Sequence, residues 1–116
     1  MEVLKFKVSG TSITRKNTGY VTINSRNEVY ASFEFDSTWG NIEPRVANFR
    51  NGDTSYDVFI EEGRCVVPYE VLEKEGQLKV CVMGGDLIST GCVEVAIYNN
   101  GVVGGLVPTI ASPSVY

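Results

Sequence analysis

The chain has 116 residues, 43% hydrophobic and 21% charged, with a formal net charge of −4. That length suits one domain around a single core, and the apolar content separates it from disordered sequences. No apolar run approaches the roughly 20 residues of a membrane span, MEVLKFKVSG has no secretion-signal pattern, and Arg15–Lys16 is too small a basic patch to track a phosphate backbone.

In chain order, residues 3–8 and 20–24 read as strands joined by the polar stretch SGTSITRKNTG. VYASFEF alternates cleanly, with Val29, Ala31, Phe33 and Phe35 on one side and Tyr30, Ser32 and Glu34 on the other. The chain's single tryptophan, Trp39, follows in DSTWGNIEP, ahead of a strand that runs to Phe49. An indole at the mouth of a strand–loop–strand connection suits a sugar platform, a pocket wall or a plug at the end of a sandwich. The plug is the preferred reading, because burying the ring contributes about 2–3 kcal/mol.

Residues 54–60 alternate again, Tyr56, Val58 and Ile60 against Ser55, Asp57 and Phe59. So do 77–83, with Leu78, Val80 and Val82, and 91–98, with Val93, Val95 and Ile97. Asn51-Gly52-Asp53, Glu61-Glu62-Gly63 and Gly84-Gly85-Asp86 read as hairpin turns between consecutive strands. VPYEVLEKEG, residues 67–76, predicts one short helix or helical turn that begins at Pro68 and covers the core with Val71 and Leu72. Seven or eight short strands at roughly 8–12-residue spacing predict an all-β, antiparallel β-sandwich over residues 1–98. Residues 99–116, rich in Gly, Pro and Ser, predict an exit linker.

The chemistry-bearing residues are sparse. There is no histidine, which removes the commonest general base and metal ligand. Gly84-Gly85-Asp86 lacks the helix and lysine of a phosphate loop. Asp36, Glu61 and Glu62 beside an aromatic platform are the only candidate acid–base group, yet each fits a turn. The odd, widely spaced Cys65, Cys81 and Cys92 form neither a paired framework nor a zinc pattern, and are expected as buried, reduced core thiols. No catalysis, cofactor or metal is expected, and neither nucleic acid nor membrane is an expected partner.

FEFDSTWGNIEPRVANF followed by YDVFIEEGRCVVPYEVLEKEGQLKVCVMGGDLISTGCVEVAIYNNG resembles a module of tail proteins from phages and prophages of Gram-positive bacteria. Its best-described kind is the N-terminal part of upper baseplate proteins. The likeness rests on Phe33, Phe35, Asp36, Trp39, Ala47, Phe49, Val58, the crossover residues Cys65, Pro68, Glu70, Val71 and Leu72, then Leu78, Val80, Val82, Gly84, Thr90, Val93 and Val95. Arg64 and Pro44 depart from the pattern and mark loops where docking would differ.

The resemblance implies an immunoglobulin-like sandwich and a non-enzymatic virion component, made in the bacterial cytoplasm and carried in a baseplate, tail fibre or other appendage. Its partners would be other virion structural proteins, with homo-oligomerisation in a longer protein whose helix follows the linker. Phe33, Phe35, Trp39, Phe49, Val58, Pro68, Leu72, Val80, Val82 and Val95 are the expected core. Tyr30, Tyr56, Tyr98, Asn99 and Asn100 are the candidate docking surface. A capsid decoration or head-fibre module is the alternative within that class. From a different class, a sandwich that binds host cell-wall glycans is the alternative, since the chain holds six tyrosines, five phenylalanines and one tryptophan.

Overall fold

Side-chain alternation builds this molecule. Leu4, Phe6 and Val8 on one strand, Val29, Ala31 and Phe33 on another, and Leu78, Val80 and Val82 on a third are all buried, while most of the residues between them face outward. Two sheets laid face to face bury those sets against each other. The structure, a computed structural model, describes residues 2–17, 21–23 and 28–99.

Ten strands are described: β1 (Glu2–Ser9), β2 (Ser12–Arg15), β3 (Val21–Ile23), β4 (Val29–Phe35), β5 (Arg45–Asn51), β6 (Thr54–Phe59), β7 (Arg64–Val66), β8 (Gly76–Gly84), β9 (Ile88–Ser89) and β10 (Val93–Asn99). The first sheet runs β2-β1-β4-β7 and the second β3-β10-β8-β5-β6, with β9 also on β8. The molecule is an all-β sandwich. Among the described residues, no helix is long and apolar enough to cross a membrane.

Several local expectations differ from what forms. The sandwich is not wholly antiparallel, because β1 pairs with β4, and β10 with β3, in parallel. Parallel neighbours need a long return connection, and here the chain between β1 and β4 makes β2 and β3 on the way. The stretch expected as a polar connection holds β2, of whose residues Ile13 alone is buried. The Asn17 side chain extends that ladder, its Nδ2 donating to the Val3 carbonyl at 2.9 Å and its Oδ1 accepting from the Lys5 N–H at 3.0 Å.

Glu61-Glu62-Gly63 does not join paired strands: β6 lies in the second sheet and β7 in the first. It is a tight reversal, closed by reciprocal Glu61–Arg64 backbone bonds of 2.9 and 3.1 Å, that hands the chain across the sandwich. The return crossing is the 67–76 segment. It forms a single 3-10 turn, Tyr69–Leu72, with Pro68 as its cap residue and Val71 fully buried. Asn51, expected only in a hairpin turn, is a buried residue that fastens this crossing. Its Nδ2 donates to the carbonyls of Val71 at 3.0 Å and Lys74 at 2.9 Å. Strand β10 ends at Asn99, and most of the expected exit linker, residues 100–116, lies outside the described residues.

Candidate functional site

The corner around Trp39 gathers a cluster of polar and aromatic contacts. Strand β4 ends at Phe35, and Asp36 caps a 3-10 turn, Ser37–Trp39. Its Oδ1 accepts from the Thr38 N–H at 3.1 Å and the Gly10 N–H at 3.4 Å. Its Oδ2 accepts from the Ser9 hydroxyl at 3.0 Å and the Thr38 hydroxyl at 3.3 Å. Desolvation pushes this carboxyl up, but the bonds from Ser9, Gly10 and Thr38 outweigh it and hold Asp36 below its ordinary range. Both oxygens are thus committed to joining the β1–β2 turn to the turn that carries Trp39.

That turn drives the indole inward. Trp39 is 0% exposed, and its Nε1 donates to the Gly10 carbonyl at 2.9 Å. The ring tilts against Phe35, with centroids 4.9 Å apart, and Gly84 of β8 passes close beneath it. Arg45 closes the outside. Its guanidinium lies 4.4 Å from the Phe35 centroid, while Nε donates to the Ile42 carbonyl at 3.0 Å and Nη2 to the Gly40 carbonyl at 2.8 Å. A ring sealed this way has no face to offer a sugar. The corner is a structural joint.

Of the residues expected in the core, Phe33, Trp39, Phe49, Val80, Val82 and Val95 are buried. Phe35, Val58 and Leu72 are partly buried and pack against the same cluster, and Pro68 is half-buried. Arg45 carries no signal of its role in the sequence, because nothing in a lone arginine after a proline announces a lid over two aromatic rings.

The candidate docking residues are not gathered in one place. Tyr30 lies in the first sheet, its ring 5.4 Å from the Arg64 guanidinium carbon and its hydroxyl donating to Glu28 at 3.2 Å. Tyr56 on β6 and Tyr98 on β10 belong to the second sheet, with β5 and β8 between them. Asn99 is the last residue of β10, and Asn100 lies outside the described residues. Among the described residues, the most exposed large apolar side chains are others: Leu87 at 79%, Tyr69 at 66% and Phe59 at 64%. Phe59 is legible in principle, as an aromatic standing in the polar set of its strand.

The cysteines also divide. Cys65 is buried, and burial pushes its thiol up to about 12. Cys81 is half-buried and Cys92 is exposed, so neither is the core thiol expected: Cys81 takes the outward position between Val80 and Val82, and Cys92 sits just before β10. Among the described residues, no three His, Cys, Asp or Glu side chains converge to hold a metal ion.

Among solved structures, the chain is similar to the N-terminal domain of phage TP901-1 ORF48, with a TM-score of 0.52 and 14% sequence identity. The match covers 84% of this chain and 99% of that one. The two share a fold. No family model and no curated protein matches the chain.

Proposed function

We propose that this domain is a structural module of a phage or prophage virion, serving as an adaptor or attachment domain in a tail baseplate or fibre. The likeness to nearly the whole of the TP901-1 ORF48 N-terminal domain supports this reading, and the tail-module motifs around Trp39 and Pro68 agree with it. The proposed mechanism is assembly without chemistry. A stiff sandwich presents loops and short edge strands to neighbouring subunits, and the segment after β10 leads to the next part of the particle.

Repetition in a symmetric particle turns weak contacts into avidity. The partners are other virion proteins and further copies of this chain. Exposed Leu87, Tyr69 and Phe59 supply apolar anchors of the kind protein contacts use. The buried Trp39 ring counts against a glycan platform.

Immunogold labelling of purified particles with an antibody to this domain tests the reading. Label at the distal tail is expected. Label on the head would transfer the assignment to a capsid decoration, and particles that lack the protein by mass spectrometry would overturn the virion role.

A further inference from the structure

In β8, Cys81 stands between the inward-facing Val80 and Val82, which places its thiol on the outer face of the second sheet. The β8–β10 register pairs Val93 with Val80 and Glu94 with Lys79; one step further along sets Cys92 opposite Cys81. Beyond Cys81 on the same edge, β8 pairs with β9 in a different register, Met83 with Ser89, and the Thr90 N–H donates to the Val82 carbonyl at 2.9 Å. Between Val82 and Val80, Cys81 alone therefore faces both Gly91 and Cys92. That two-against-one count is a β-bulge, and it delivers Cys92 to the face that holds Cys81.

The register thus sets the two thiols side by side on that face, where Cys81 Sγ also lies 3.9 Å from Asn48 Oδ1. Cys81 is pushed up to about 11, by burial first and then by the charge of, and hydrogen bond with, the Cys92 thiol. Directly opposed residues of antiparallel strands have Cα atoms about 4.5–5.5 Å apart, inside the roughly 4.4–6.8 Å that a disulfide spans. Cys92 is exposed and open to reagents, whereas the remaining thiol, Cys65, is buried in the core.

We propose that Cys81 and Cys92 form a reversible cross-strand dithiol–disulfide site, oxidised by exchange with a small-molecule disulfide such as oxidised glutathione. The exposed Cys92 thiolate attacks one glutathione sulfur, and the glutathione S–S bond breaks to release one glutathione thiolate. The Cys81 thiolate then attacks Cys92 Sγ, the mixed disulfide breaks, and the second glutathione leaves. The two protein thiols lose two electrons and two protons, which the oxidised glutathione gains in becoming two glutathione molecules. The bond fastens β8 to the bulge ahead of β10, open in a reducing cytoplasm and closed in an oxidising exterior. Exposure of Cys92 keeps it reducible. The inference stands on the strand register and the exposure of Cys92, and is independent of the virion reading.

The test equilibrates the chain in glutathione buffers from fully reducing to fully oxidising, then alkylates it under denaturing conditions for intact-mass and peptide mass spectrometry. The expected oxidised product has lost two hydrogens, retains one alkylatable thiol at Cys65, and yields a linked Cys81–Cys92 peptide. Its melting temperature rises, and reduced glutathione reverses both changes. Cys81→Ser is expected to stop at the mixed disulfide on Cys92. Three alkylatable thiols across the whole range, or links through Cys65 or between chains, would overturn the proposal.

Discussion

A Cβ placed on Gly84 would lie 2.6 Å from Trp39 Cζ3, and 2.7 Å from Ile42 Cγ2. Real side chains do not approach so closely, so Gly84 is the floor on which the indole rests. Gly84→Ala is expected to destabilise the domain by about 1–3 kcal/mol through overpacking, and Trp39→Ala by about 3–5 kcal/mol through the cavity it leaves. Urea unfolding followed by circular dichroism measures both. A Trp39→Ala domain that kept wild-type stability would contradict a structural joint at this corner.

Asn51 fastens the crossing between sheets through two carbonyls, those of Val71 and Lys74. Asn51→Ala would leave these acceptors with no side-chain donor, at a cost of about 2–3 kcal/mol. Amide hydrogen exchange should show the loss first in residues 69–75, ahead of the strands. Uniform loosening of the whole domain would argue against a local clamp.

Glu62 has a φ of 54° and Gly63 a φ of 76°. A reversal with two positive φ values favours residues that tolerate the left-handed region, and glutamate does not. Glu62→Gly should stabilise the protein by about 0.5–1 kcal/mol, the relieved strain exceeding the entropy that glycine adds to the unfolded chain. The unfolding midpoint decides the sign.

Acid stability should depend on Asp36. Desolvation raises this carboxyl, the Ser9, Gly10 and Thr38 bonds together lower it by more, and the net position is below the ordinary 3.8. An acid depressed on folding stabilises the native state above its unfolded value, and that contribution is lost as pH falls through the folded value. Stability should therefore drop below about pH 3.8, and Asp36→Asn should flatten that part of the profile. An unchanged acid limb in the variant would show that other carboxylates carry it.

Period-two alternation in the sequence determined a great deal on its own. Successive side chains on a strand must take opposite faces, so the inward sets of β4, β8 and β10 follow directly from VYASFEF, QLKVCVM and CVEVAIY. The all-β character and the interior place of Trp39 follow from the same pattern and from the size of the indole. Which strands pair is another matter, because ladder hydrogen bonds join backbone groups that every residue except proline carries. The parallel β1–β4 contact, the polar edge strand β2 and the sheet switch at Glu61–Arg64 therefore left no mark in composition or period. Asn51 and the Cys81–Cys92 pairing were equally hidden, since each joins residues separated in the chain that only three-dimensional packing brings together. Arg45 has its carbonyl partners close by in sequence, but nothing in the period shows that its side chain folds back over the rings.

The decisive physical circumstance is that hydrophobic pattern chooses faces, whereas neighbours are chosen by how the two layers close. Should experiment place β1 beside some strand other than β4, the joint that ties Gly10 to Trp39 would need rebuilding.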